Sequence, residues 1–159
     1  MQPAIGAPHP NGQLRALQPR ALVRLRGAAY VLERSLRLAQ GDRRWTEHRL
    51  SSDESGRSVW LEVPDEAGGE LLVHERGYQL PPLSGPIVLD APAEGFTLRR
   101  AGTARYRTVE RAGLAKTGSL SYVEYASGDR RMTFERHRQD EPWQLWHGHV
   151  IDRAAVRLV

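Results

Sequence analysis

Cysteine is absent from this 159-residue chain. Its absence excludes disulfides, thiolate nucleophiles and cysteine-ligated zinc, and it leaves the redox compartment open. Lysine is nearly absent: of 23 basic residues only Lys116 is not an arginine. No apolar run approaches the roughly 20 residues a membrane-spanning helix needs. Residues 1–18 lack the apolar core of a secretory signal, so the expectation is a cytoplasmic protein. Phosphate loops, nucleophile elbows and dinucleotide fingerprints are also missing. Gly68-Gly69 and Gly85 lack the strand–loop–helix setting a phosphate loop requires. Two Phe, four Trp and five Tyr are too scattered to form a base-stacking platform.

The composition that remains is that of a globular chain long enough to bury a core, with 40% hydrophobic residues and a mean hydropathy of −0.55. The formal charge is +4 and the isoelectric point about 9.9. Arginine offers forked donors suited to carboxylate or phosphate. The arginines are nevertheless dispersed among 19 acids, without a long block of one sign. They read as an anion-binding surface or, more simply, as solvated strand faces in an arginine-rich composition.

Two stretches share one order of residues. In 22–63 an arginine-rich run and Gly27 precede Tyr30-Val31-Leu32-Glu33-Arg34. Trp45-Thr46-Glu47-His48, a polar turn and Trp60-Leu61-Glu62-Val63 follow. In 96–136 an arginine-rich run and Gly102 precede Tyr106-Arg107-Thr108-Val109-Glu110-Arg111. Tyr122-Val123-Glu124-Tyr125, a polar turn and Thr133-Phe134-Glu135-Arg136 follow. The pattern predicts two copies of one supersecondary unit. Residues 1–19, rich in Pro and Gly, read as a flexible arm. Residues 20–159 read as one β domain of two repeats, about 20–76 and 96–152, joined by a Pro/Gly-rich connector at 77–95.

Ala, Leu, Arg and Glu dominate residues 20–39, and intrinsic propensity there favours helix. Gly27, Pro19 and the shared parity of Leu32, Leu36 and Leu38 argue for strands near 21–26 and 29–38. Further strands are expected at 45–51, 58–63, 70–75, 96–101, 104–111, 119–126, 131–138 and 143–151. A short one is expected at 87–89, and 156–159 forms a tail. Many short strands between turn signals, without a long helix, predict an all-β fold. Duplicated antiparallel units would form a barrel or sandwich.

Burial fixes the hairpin registers. Setting Leu50 opposite Val59 puts Leu50, Val59, Leu61 and Val63 on one apolar face, His48 opposite Leu61, and Glu47 opposite Glu62. Trp45 and Trp60 then share the glutamates' face. In the second hairpin Val123 and Tyr125 pair with Phe134 and Met132, leaving Glu124, Glu135 and Tyr122 on the opposite face. The apolar faces of the two units are expected to meet, with the tryptophan–glutamate faces turned away. Opposed glutamates repel unless offset. Arg24, Arg26, Arg34 or Arg105 could pair with them, solvent could screen them, or a cation or shared proton could sit between them. His147 and His149 fall on one side of a strand, where two imidazoles could begin a metal site or simply be strand residues. Gly148 between them marks a bulge or a close backbone approach.

The run Trp45-Thr46-Glu47-His48-Arg49-Leu50 with Val59-Trp60-Leu61-Glu62-Val63 resembles domain-of-unknown-function family 4178 (DUF4178). Tyr122-Val123-Glu124-Tyr125, Phe134-Glu135 and Glu141…Trp146-His147-Gly148 follow in that family's order, over about residues 20–152. His48 departs from the aromatic expected after the glutamate. The resemblance implies a bacterial β-rich domain without an assigned activity or catalytic residues. Its relatives are associated with neighbours linked to membrane stress and to polyamine synthesis.

The reading that follows is a non-enzymatic binding or scaffolding module without a cofactor. Its partner would be a protein or a cationic small molecule such as a polyamine, held by Trp45, Glu47, Trp60, Glu62, Tyr122, Glu124 and Glu135 through carboxylates and aromatic faces. Two alternatives are a hydrolase, using the glutamates as acid–base pairs or His147/His149 with a metal, and nucleic-acid binding through arginine.

Overall fold

A computed structural model describes residues 11–66, 68–79, 85–86 and 95–159. The short strand expected at 87–89 lies outside them. Ten strands follow a short helix: α1 (Gly12–Arg15), β1 (Leu22–Leu25), β2 (Ala28–Gln40), β3 (Arg43–Ser51), β4 (Ser58–Pro64), β5 (Leu71–Gln79), β6 (Thr97–Val109), β7 (Thr117–Ser127), β8 (Arg130–Arg136), β9 (Gln144–Ile151) and β10 (Val156–Leu158). The fold is all-β, and the alternation of Leu32, Leu36 and Leu38 overrides the helical propensity of the segment that holds them.

Two antiparallel meanders make a closed eight-stranded barrel. One is β2–β5 and the other β6–β9. They join last strand to last strand through β5 and β9, and first to first through β2 and β6. β2 is long enough to serve two neighbours on one edge: residues 22–25 of β1 pair with 28–31, and residues 105–109 of β6 with 35–39. Between them β2 has a bulge at Leu32/Arg34, which bends the strand where it changes partner. β10 extends the flap by pairing with β1.

Gly27 and Gly102, which occupy matching places in the two similar stretches, work differently. Arg26 and Gly27 both take positive φ, 49° and 83°, and form the tight turn between β1 and β2. Gly102 is nearly extended and β6 runs straight through it. The two strands expected at 96–101 and 104–111 are therefore one strand of 13 residues.

Both hairpin registers are as burial dictates: Leu50 faces Val59, His48 faces Leu61 and Glu47 faces Glu62. In the second, Val123 faces Phe134 and Tyr125 faces Met132. The faces are packed the other way round from the expectation. Leu50, Val59, Leu61 and Val63 lie outside the barrel wall, where β1, β10 and α1 cover them with Val23, Leu25, Val156 and Leu14. The tryptophan–glutamate faces close on each other and line the lumen, where Leu36, Leu38 and Trp45 of the first meander pack against Ala104, Leu120 and Tyr122 of the second. Barrel closure needs an inner face, and the added flap gives the more apolar outer face a cover of its own.

Residues 11–19 are not the loose arm their composition suggests. Leu14 is fully buried in the outer core. His48, also fully buried, ties α1 down: its Nε2 lies 2.6 Å from the Leu14 carbonyl and its Nδ1 2.6 Å from Ser35 Oγ. The carbonyl can only accept, so Nε2 carries the proton and Nδ1 accepts from the serine hydroxyl.

Candidate functional site

Strand alternation places Glu47 of β3, Glu62 of β4, Glu124 of β7 and Glu135 of β8 in one lumen. All four line the same small void of about 20 Å³, together with Trp45, Arg43 and Arg100. Toward one end the lumen widens into a cavity of about 450 Å³. That falls within the range of small-molecule sites, roughly 300–1,000 Å³. Trp60, Tyr106 and Trp146 form its walls and Glu47, His74 and Glu135 its floor.

Glycines make room for the wall. A Cβ on Gly148 would come within 2.8 Å of His74 Nδ1, and one on Gly77 within 2.8 Å of the Trp146 ring. The close backbone approach expected at Gly148 is thus made by the His74 imidazole.

The four acids divide into two matched and two unmatched. Glu62 Oε2 meets His74 Nε2 at 3.1 Å, and its Oε1 meets Arg43 Nη2 at 3.3 Å. Burial works to raise its pKa, but the His74 hydrogen bond and charge, then Arg43 and Arg100, outweigh it and hold Glu62 below the usual range. Burial likewise works against His74, and Glu62 reverses the effect and raises it. Glu124 sits 3.2 Å from Arg100 Nε and 3.7 Å from Arg99 Nη1. Burial and then the Glu62 charge still raise it. A bulge at Leu98/Arg100 lets two consecutive arginines reach one carboxylate.

Glu47 and Glu135 form no ion pair among the described residues, although the His74 charge acts to lower Glu47. Glu47 accepts one hydrogen bond, from Trp45 Nε1 at 3.0 Å. Burial, then Glu135 and Glu62, pushes it up to about 8. Burial and Glu62 push Glu135 up to about 7. Nearby, His74 Nδ1, Thr133 Oγ1 and Trp146 Nε1 are buried without a hydrogen-bond partner. The lumen floor therefore carries unspent hydrogen-bonding capacity and two carboxyls outside any ion pair.

All seven residues singled out from the sequence face this lumen. Trp45 meets Tyr122 edge-on at 6.0 Å and carries the Arg43 guanidinium 4.0 Å above its ring. Tyr122 donates to Gln40 Oε1 and accepts from Arg43. The expected arginines are not the glutamates' partners. Arg24 and Arg26 lie on the outer flap and Arg105 on the exposed side of β6, while Arg34 stands over Trp60 at the cavity rim. His147 and His149 lie on the opposite side of β9 from Trp146 and Gly148, outside the lumen. Among the described residues no group of His, Asp and Glu is arranged to hold a metal ion, and no helix is long and apolar enough to cross a membrane.

His74, Arg43, Arg100, Tyr106 and Trp146 complete the site without having been singled out. His74 and Trp146 were within reach, since Leu72/His74 and Trp146/Gly148 alternate in step with the glutamates once their strands are paired.

The chain belongs to the family described as Domain of unknown function (DUF4178), whose model matches residues 18–153. It is similar to an uncharacterized protein of Mycobacterium bovis and to one of Mycobacterium tuberculosis, each 29% identical over 146 residues, 86% of this chain and 68% of theirs. No solved structure matches it.

Proposed function

We propose that this member of the DUF4178 family is a non-enzymatic binding module whose lumen takes a small amine. The observation that carries the reading is the meeting of a buried carboxyl, Glu47, and a half-buried one, Glu135, neither in an ion pair among the described residues, on the floor of an aromatic-walled cavity. An ammonium group would supply the missing charge, and the faces of Trp60, Tyr106 and Trp146 would favour a cation and its apolar chain. A polyamine is one such ligand.

Titration calorimetry with hexylamine and with spermidine tests this. The expected result is binding by the wild type that weakens at least about tenfold in Glu47→Gln/Glu135→Gln, the effect of removing about 1.4 kcal/mol of interaction. No heat with either amine, or equal affinity in the variant, would overturn the reading.

A further inference from the structure

We propose, resting on the amine reading above, that the ligand is two-ended: its ammonium seats on the floor and an anionic group at its other end is held at the rim by Arg34 and Lys116.

Strand position separates floor from rim. Glu47 is two residues inward from Arg49 on β3, and Leu36 two residues inward from Arg34 on β2. Glu135 lies just inside the end of β8, with His137 beyond it. Lys116 and Glu110 flank the ends of β7 and β6, and Ser58 begins β4. All these residues line the one cavity. Two residues of strand span about 7 Å, a distance a chain of five methylenes can bridge.

The charges at the two levels have opposite sign. At the floor Glu62 and Glu124 are matched by His74, Arg43, Arg99 and Arg100, which leaves Glu47 and Glu135. At the rim Arg49 is matched by Glu33 at 3.0 Å. Arg34 and Lys116 form no ion pair among the described residues, and Arg34 Nε is buried without a hydrogen-bond partner. Glu110 is the rim's one acid, against two unmatched cations. Arg34 is steered by Trp60, whose ring lies 5.6 Å from the guanidinium carbon. A forked guanidinium with an unused donor suits a carboxylate or phosphate oxygen. A ligand cationic at both ends could bind through one ammonium, but its second would gain nothing at this rim beyond Glu110.

Three probes isolate the two ends: ε-aminocaproate, hexylamine and hexanoate, the last two lacking one charge each. Calorimetry at low salt and about pH 9, where both floor acids are ionised and the amine remains largely protonated, should rank ε-aminocaproate about tenfold tighter than hexylamine, with hexanoate weakest. In Arg34→Gln/Lys116→Gln the first two should become nearly equal while hexylamine affinity is kept. Lys116→Gln alone, at an exposed position, should remove part of the preference and serves if the Arg34 change disturbs Trp60. Equal binding of ε-aminocaproate and hexylamine by the wild type would overturn the two-ended ligand and leave the amine reading standing. So would a preference that survives the double variant. Hexanoate binding tightest, or no binding of any amine, would overturn both.

Discussion

Two buried residues set opposite pH limits on this protein. Burial holds the His48 imidazole at about 4, against an ordinary 6.5. Between those values the unfolded chain binds the proton and the folded one does not. The His48 contribution is therefore complete above 6.5 and is lost as pH falls toward 4, by about 3 kcal/mol. Glu47 and Glu135 act in the opposite sense over part of that range, so the loss is read as a difference: in denaturant unfolding, the stability of the wild type relative to His48→Gln should fall by about that amount between pH 6.5 and 4. Glu47 acts in the other direction. Its folded pKa of about 8 exceeds the ordinary 4.5, so the folded state holds a proton that the unfolded state has released. That contribution is full below 4.5 and gone above about 8. Glu47→Gln, which can still accept from Trp45, should raise the melting temperature near pH 8 relative to the wild type and leave it little changed near pH 4. An unchanged difference across that interval would show that Glu47 is already ionised in the fold.

At the scale of elements, cross-strand packing explains both what could be read in advance and what could not. The hairpins were legible because a one-residue slip would turn Leu50, Val59, Leu61 and Val63 outward. The glutamates' partners were not, because they depend on where strands bulge. Arg99 and Arg100 reach Glu124 together only through the irregularity in β6. α1 was illegible for a different reason: Pro- and Gly-rich flanks conceal one leucine whose burial and carbonyl, not helix propensity, dock it. Leu14→Ala should therefore cost about 2–5 kcal/mol in unfolding free energy. Gly148→Ala should cost about 1–3 kcal/mol, because its methyl would meet His74 Nδ1 and no flexible side-chain end can yield there. A neutral effect would place His74 elsewhere than over the β9 backbone.

For the whole molecule, the closed barrel decides what the glutamate face means. From one hairpin, Glu47 beside Glu62 could have been a solvated surface pair. Closure of β2 on β6 and of β5 on β9 turns the same face inward, where water no longer screens the charges. The sequence pattern of two similar units was visible, but not which of their faces would meet, since the covering flap of β1 and β10 comes from the two ends of the described chain. A duplication origin remains our proposal. The hairpin registers differ by two residues at the acids: Glu47 faces Glu62, while Glu124 faces Thr133 and Tyr122 faces Glu135.

The unmatched acids are the feature on which the binding reading stands, and carbon-13 NMR of their side-chain carboxyls observes them directly. In the free protein we predict ionisation of Glu47 near about 8 and of Glu135 near about 7, with hexylamine drawing both toward the ordinary carboxylate range. Carboxyls already ionised in mildly acidic solution, and unmoved by the amine, would contradict it.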